Sequence, residues 1–129
     1  MPSARIGPIS ILLVDDSVCH LQTTGFALRR AGYLVREASH AQAAQADLDR
    51  NGPPGVCVID HIMADTDGVQ LIQQLRKRRD TRRVPMVLMS TAPAQHIREL
   101  ALKTGAQAWL AKPFAPEQLL AILSIVLSR

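Results

Sequence analysis

The stretch ISILLVDD, residues 9–16, is a nearly continuous apolar run that stops at two carboxylates, Asp15 and Asp16. Such a run is typical of a parallel strand that is covered on both faces. Three further strand-like runs also end at polar side chains: GVCVID at Asp60, VPMVLMS at Ser90 and QAWLAK at Lys112. In an open parallel sheet the ligand lies outside the carboxyl ends of the strands. We therefore expect these side chains to share one crevice.

Strand-like and helix-like patterns alternate along the whole chain. The strand patterns lie at residues 9–14, 33–38, 55–60, 84–90 and 107–111. The helix patterns, bounded by caps such as Ser17 and stops such as Gly105, lie at residues 17–31, 40–51, 66–79, 93–104 and 115–128. The strand at 33–38 carries Arg36 and Glu37, so we expect it at an edge of the sheet. Five consecutive strand–helix units predict a doubly wound α/β sandwich with right-handed crossovers.

The carboxylates at the strand ends point to a cation. Three clustered carboxylates repel one another, so they either raise one another's pKa or hold a positive ion. A hard divalent ion with oxygen ligands and retained waters fits this need. The sequence therefore predicts a site for Mg²⁺, or Mn²⁺ in its place, built on Asp15, Asp16 and Asp60.

Length and charge exclude several classes of function. The 129 residues suffice for one domain with its own core. The longest apolar stretch, residues 119–127, falls far short of the roughly 20 residues of a membrane helix, so no membrane association is expected. Much of the net charge of +4 lies in residues 76–83. These residues close a predicted helix and lack interleaved aromatics, so we expect no direct nucleic-acid binding. Cys19 and Cys57 form no disulfide framework, which favours a reducing cytoplasm.

The order of these features resembles one family, the receiver domain of bacterial response regulators, typified by the chemotaxis regulator CheY. The resemblance extends from residue 9 to residue 127 and rests on the following residues: Asp15, Asp16, Asp60, Asp67, Gly68, Ser90, Lys112, Pro113 and Phe114. Each motif is weak alone, but their order and their coincidence with strand ends are specific. The resemblance implies a flavodoxin-like, CheY-like three-layer sandwich with strand order 2-1-3-4-5 and five helices. It also implies a single receiver domain over residues 1–129.

The resemblance assigns a role to each residue of the crevice. Asp60 would be the phosphoacceptor, a carboxylate nucleophile that becomes an aspartyl phosphate. Asp15 and Asp16, with Asp60 and the backbone carbonyl of Ile62, would hold the metal ion. The ammonium of Lys112 and the hydroxyl of Ser90 would each contact a phosphoryl oxygen. Two further expectations follow from the resemblance: Trp109 is the switch residue on the fifth strand, and the Lys112–Pro113 peptide bond is cis.

Some positions depart from the usual receiver pattern. Ala64 stands where receivers usually have proline, which should leave the loop after Asp60 less restrained. Ile62 and Ala92 occupy two positions that influence how long the phosphoryl group lasts, and neither side chain can form a hydrogen bond. Trp109 replaces the more usual Tyr or Phe. These departures concern kinetics and output, and they remove no group that phosphorylation requires.

The favoured function is a phosphoacceptor that is not itself an enzyme. A histidine kinase or a phosphotransfer protein would phosphorylate Asp60. The face formed by the fourth helix, the fifth strand and the fifth helix would then bind a protein target or a second copy of the chain. The last helix, which is apolar nearly all round, favours such an interface. Met1 and the short tail after the last helix modestly favour a single-domain regulator over a piece of a larger protein.

Two other functions stay open. A pseudo-receiver would act as a docking module without phosphorylation, but the complete set of acids argues against it. A metal-dependent phosphohydrolase using Asp60 is disfavoured because the second aspartate that haloacid-dehalogenase-type phosphatases place two residues later is replaced by Ile62. The four histidines lack ligand spacing, and we expect polar surface residues rather than metal ligands at His20, His40, His61 and His96.

Overall fold

The computed structural model describes residues 7–128 and contains five strands alternating with five helices. The strands are β1 (Ser10–Val14), β2 (Leu34–Ala38), β3 (Val56–Asp60), β4 (Met86–Ser90) and β5 (Ala108–Ala111). The helices are α1 (Val18–Arg30), α2 (Ala41–Asn51), α3 (Gly68–Lys77), α4 (Ala94–Thr104) and α5 (Pro116–Leu127). All ten predicted elements are present, with ends that differ from the prediction by two residues at most. The outermost parts of the predicted domain, residues 1–6 and 129, lie outside the described residues.

The five strands form one parallel sheet in the order β2-β1-β3-β4-β5. This order and the five covering helices confirm the predicted fold class. The prediction that residues 33–38 form an edge strand is also confirmed, since β2 pairs only with β1 within the described sheet. Every residue of β3 and β4 is buried, as the continuous apolar runs indicate.

Alternate strand residues point to opposite faces of the sheet and build two separate cores. On one face, residues such as Leu12, Ile59 and Leu88 pack against α2, α3 and α4. On the other face, residues such as Leu13, Val58 and Met89 pack against α1 and α5. Cys57 is buried in the first core, and burial raises the pKa of its thiol to about 12, so it behaves as a small apolar residue. The molecule is thus a three-layer sandwich.

Helix ends follow the signals in the sequence. The Ser17 side chain caps α1 by accepting a hydrogen bond from the backbone N–H of His20 at 3.2 Å. Helix α4 ends at Gly105, which has a left-handed φ of 78° and donates its N–H to the carbonyl of Ala101. Among residues 7–128, none of the helices is both long enough and apolar enough to span a lipid bilayer.

Part of the basic run at residues 76–83 serves the fold. Arg76 donates hydrogen bonds to three backbone carbonyls and one side chain, those of Arg82, Val84, Gly105 and Gln107. It thereby connects the last turn of α3 to the segments that enter β4 and β5. Arg78 forms ion pairs with Asp49 at 3.0 Å and with Asp80 at 2.9 Å. Two of the six basic residues are therefore engaged inside the protein, and the absence of nucleic-acid binding stays a prediction.

Candidate functional site

The carboxyl edge of the sheet gathers the polar residues that end the apolar runs. Asp60 is the last residue of β3 and Ser90 the last residue of β4, whereas Asp15 directly follows β1 and Lys112 directly follows β5. Backbone hydrogen bonds fix two of these positions. Asp15 donates its N–H to the carbonyl of Ala38 at 3.1 Å, and Lys112 donates its N–H to the carbonyl of Ser90 at 2.8 Å. The parallel sheet therefore brings these four residues to one edge.

Three carboxylates form the acidic part of the site. Asp15, Asp16 and Asp60 each offer an oxygen atom, and these atoms all lie within 4.8 Å of one another. Asp15 and Asp60 are buried, while Asp16 is exposed and accepts a hydrogen bond from the backbone N–H of Ala64 at 2.8 Å. A donor set made only of carboxylate oxygens suits a hard divalent cation. These residues therefore fit the metal ion that the sequence predicts.

Lys112 supplies the positive charge at the centre of the cluster. Its Nζ atom lies 3.1 Å from Oδ1 of Asp60 and 3.4 Å from Oδ2 of Asp15. The Lys112–Pro113 peptide bond is cis, the geometry that the sequence analysis expected. The ammonium thus contacts two of the three clustered carboxylates, so Lys112 alone does not balance their negative charge.

The two buried carboxylates have pKa values that move in opposite directions. Burial, followed by repulsion from Asp15, raises the pKa of Asp60, and Lys112 offsets only part of this effect. Burial also acts to raise the pKa of Asp15, but hydrogen bonds from His20 and from the backbone N–H of Ser17, together with Lys112, lower it overall. Asp60 is therefore the carboxylate whose ionised form most needs a further cation.

The start of α3 packs directly against the backbone of Asp60. The N–H of Gly68 donates to the carbonyl of His61 at 2.6 Å. A Cβ at Gly68 would lie 2.8 Å from the carbonyl carbon of Asp60 and would overlap its carbonyl oxygen. The Asp67 side chain caps the helix by accepting from the N–H of Val69 at 2.7 Å. The Asp67-Gly68 pair in the sequence therefore reflects a close approach of helix and strand end.

Two histidines belong to the site, although the sequence analysis placed them on the surface. The Nδ1–H of His20 donates to Oδ2 of Asp15, and the ring packs edge-on against Phe114. Nδ1 of His61 lies 2.8 Å from Oγ of Ser90, and the His61 side chain is only 12% exposed. The surface prediction for His61 was wrong, because the loop after β3 turns its ring inward. The position of His61, next to Asp60 at a strand end, was the available signal.

The remaining predicted residues surround this centre. Ser90 is buried and accepts a hydrogen bond from the N–H of Ala92 at 3.0 Å. Trp109 lies on the edge strand β5 and is 36% exposed. Ile62 lies in the loop after Asp60, and the residue is 64% exposed. The role of the Ile62 carbonyl as a ligand and that of Trp109 as a switch stay predictions.

Comparison with known proteins agrees with this geometry. The model of the family described as "Response regulator receiver domain" matches residues 11–124. The phosphate regulon transcriptional regulatory protein PhoB of Pseudomonas aeruginosa is 31% identical over 121 residues, which cover 93% of this chain. The chain spans only about half of that relative, 52% of its length.

Many solved structures are similar to this chain, and two examples match over nearly their whole length. The chemotaxis protein CheY4 of Vibrio cholerae is 28% identical with a TM-score of 0.87, and the match covers 93% of this chain and 99% of that one. The receiver domain of the sensor histidine kinase PA1611 of Pseudomonas aeruginosa is 27% identical with a TM-score of 0.85, covering 95% and 100%. That domain was solved with a magnesium ion coordinated in its active site cleft.

Proposed function

This chain belongs to the response regulator receiver family, and from that premise we propose that Asp60 accepts a phosphoryl group from a histidine kinase or a phosphotransfer protein. The observation that carries the proposal is the environment of Asp60. Its carboxylate ends a buried strand, lies 3.1 Å from the Lys112 ammonium and shares a cluster with Asp15 and Asp16. A receiver needs a nucleophile, a cation site and a phosphate contact, and this cluster offers all three.

The transfer follows from the chemistry of the groups present. A carboxylate oxygen of Asp60 attacks the phosphorus of the donor, a new O–P bond forms, and the P–N bond to the donor imidazole breaks. Bound by Asp15, Asp16, Asp60 and the Ile62 carbonyl, Mg²⁺ or Mn²⁺ would offset the repulsion between two anionic reactants. The Lys112 ammonium would exchange its contact with Asp60 for a phosphoryl oxygen. The Ser90 hydroxyl would donate a hydrogen bond to a second phosphoryl oxygen.

A phosphorylation assay tests the proposal against both rival functions. The protein is incubated with Mg²⁺ and acetyl phosphate, and its intact mass is measured. A stoichiometric phosphoryl adduct that is absent from Asp60→Asn and present in Asp65→Asn supports the receiver. No adduct on the wild-type protein would favour the unphosphorylated docking module. Release of many phosphate molecules per protein would favour the phosphohydrolase, and the protein would then be an enzyme.

The output surface of the proposal is the face formed by α4, β5 and α5. Each of these elements carries one large exposed apolar side chain: Leu102 at 71%, Trp109 at 36% and Ile125 at 61% exposure. Large apolar side chains exposed on neighbouring elements mark interaction surfaces more often than chance. A downstream protein or a second copy of the chain would bind there.

Substitution of Ile125 tests this face. Leu120 and Leu127 are both partly buried against the core, so Ile125 is the better site for a charge. We expect Ile125→Glu to weaken dimerisation or target binding in Mg²⁺ and beryllofluoride, measured by sedimentation, without lowering the unfolding midpoint. Phe26→Glu, on α1 and equally exposed, is the control. Equal effects of the two variants would place the interface elsewhere.

The proposal concerns the receiver alone. The chain matches almost the full length of the solved CheY4 chain but about half of PhoB, so it fits either a separate receiver or a receiver within a longer protein. A cytoplasmic location is part of the proposal, and it is consistent with the two free thiols, Cys19 and Cys57.

A further inference from the structure

The Ser90 hydroxyl is enclosed and has two hydrogen-bond partners. Ser90 is 1% exposed, so water has little access to its side chain. The backbone N–H of Ala92 donates to Oγ at 3.0 Å, and Nδ1 of His61 lies 2.8 Å from the same oxygen. A hydroxyl has one proton to donate and two lone pairs to accept with. Ala92 uses one lone pair, so the direction of the second hydrogen bond decides where the Ser90 proton points.

The position of Asp67 favours one tautomer of the His61 ring. Nε2 of His61 lies 3.8 Å from Oδ1 of Asp67, beyond hydrogen-bond distance but close enough for electrostatic attraction. That carboxylate oxygen is held in place by the N–H of Val69. In a neutral imidazole one nitrogen carries the proton and the other accepts. A proton on Nε2, facing the carboxylate, leaves Nδ1 as the acceptor, and the Ser90 hydroxyl then donates to His61.

We propose that His61 is a positioning residue that holds the Ser90 hydroxyl in the unphosphorylated protein and thereby opposes activation. The inference rests on the proposed function, in which Ser90 donates to a phosphoryl oxygen on Asp60. The Ser90 hydroxyl has only one proton. It must therefore give up its hydrogen bond to His61 before it can donate to the phosphoryl group. The His61 acceptor therefore sets part of the equilibrium between the resting and the activated arrangement.

The surroundings of His61 reduce the free-energy cost that the activated state bears when Ser90 leaves His61. The ring forms one wall of an open depression of about 780 Å³, whose other walls include Ala92, His96 and Leu100. After Ser90 has turned away, water in this depression can donate to Nδ1. Ser90 has no such access to water. Removal of the His61 acceptor therefore destabilises the resting state more than the activated state. A non-accepting side chain at position 61 should therefore favour activation.

Three variants test the inference through the affinity for beryllofluoride in saturating Mg²⁺, in buffer well above the ordinary pKa of imidazole. His61→Phe keeps a ring but removes the acceptor, and His61→Leu is a second non-accepting variant should the first fail to fold. His61→Asn retains an acceptor, because its Oδ1 can occupy the place of Nδ1. We expect the non-accepting variants to bind beryllofluoride about threefold to tenfold more tightly, the effect of one neutral hydrogen bond. His61→Asn should bind like the wild type.

A second background separates this role from a general structural effect. In Ser90→Ala, the substitutions at His61 should no longer change beryllofluoride affinity, because the competing donor is gone. Mg²⁺ affinity measured alone should be the same for all three variants. Wild-type affinity in folded His61→Phe or His61→Leu would overturn the inference, as would an increase that persists in Ser90→Ala. If the wild-type protein itself neither binds beryllofluoride nor accepts a phosphoryl group, the proposed function fails, and the inference fails with it.

Discussion

The ammonium of Lys112 lies 3.1 Å from the carboxylate of Asp60. The residue that follows β5 is thus paired with the residue that ends β3. The side chains of both residues are largely buried, at 18% and 8% exposure. The contact therefore compensates charge in a region that water screens poorly. Without a metal ion, Lys112 is the side chain whose ammonium contacts both Asp15 and Asp60.

Lys112→Met should destabilise the metal-free protein. The two buried carboxylates would lose their cation, and we expect a loss of about 1–3 kcal/mol in the free energy of unfolding. Mg²⁺ should recover part of this loss and should bind the variant more tightly, because no ammonium competes with it. Urea unfolding with EDTA or Mg²⁺ measures both effects. Lys103→Met, at an exposed position on α4, is the control, and equal losses for the two variants would contradict the prediction.

Asp60→Asn should stabilise the metal-free protein near neutral pH. Burial and repulsion from Asp15 raise the pKa of Asp60, so the folded state binds its proton more tightly than the unfolded state does. Above the raised pKa, the ionised side chain therefore opposes folding. The advantage of the variant should shrink as the pH falls through the raised pKa toward about 3.9, the ordinary value for aspartate. Unfolding midpoints in EDTA across this pH range measure it, and a wild type that is the more stable at neutral pH would refute it.

Gly68→Ala should damage both stability and phosphorylation. The added Cβ would overlap the carbonyl oxygen of Asp60, and backbone can yield only by moving α3 or the strand end. We expect a loss of about 2–4 kcal/mol, toward the upper range for overpacking. Gly105→Ala is the control, since its left-handed φ costs about 1–2 kcal/mol but its Cβ has room. Unfolding and acetyl phosphate assays on both variants test this, and a milder effect at Gly68 would count against it.

Ile62→Asn should shorten the life of the phosphoryl group on Asp60. Hydrolysis needs a water molecule aligned with the phosphorus, and a polar side chain at this position can orient it. Ile62 is 64% exposed next to the site and cannot form a hydrogen bond. We expect phosphate release to be about ten- to a hundredfold faster in the variant. The protein is phosphorylated, the donor removed and release followed. Leu102→Asn, exposed on α4, should leave the rate unchanged, and an unchanged rate in Ile62→Asn would mean that Ile62 does not set the lifetime.

Trp109 fluorescence should report the activated state. Movement of Ser90 toward the phosphoryl group would leave space that a rotating Trp109 can fill, and its present exposure of 36% would fall. It is the only tryptophan of the chain, so the signal has one source. We expect the emission to shift to shorter wavelength with Mg²⁺ and beryllofluoride. The shift should be smaller in Ser90→Ala, and an unchanged spectrum at saturation would argue against the coupling.

The sequence could predict whatever depends on strand and helix periodicity. Continuous apolar runs located the buried strands, and their polar ends located Asp15, Asp60, Ser90 and Lys112, because parallel strands place their carboxyl ends together. The direction of His61 could not be predicted. It lies outside any periodic element, and its burial depends on how the loop after β3 closes onto Gly68.

Interactions between distant segments could likewise not be predicted from the sequence. The charge run at residues 76–83 was correctly placed at a helix end, but nothing in its pattern distinguishes Arg76, which donates to the segments before β4 and before β5, from exposed neighbours such as Arg79. The contact of His20 with Asp15 was missed for the same reason. It depends on how the first turn of α1 faces the strand end rather than on spacing between ligands.

The bonds of Arg76 divide the molecule mechanically. They fasten the end of α3 to the entrances of β4 and β5, at the edge of the sheet opposite Asp60. Motion that starts at Ser90 is therefore expected at the carboxyl ends of β4 and β5, which continue into loops and lie away from the bonds of Arg76. A reporter dye or a fused domain attached near Arg83 would lie at the end that Arg76 holds in place, and its signal should change little on activation. The same attachment near Thr91 would sit on the free end, where a biosensor built from this protein should draw its signal.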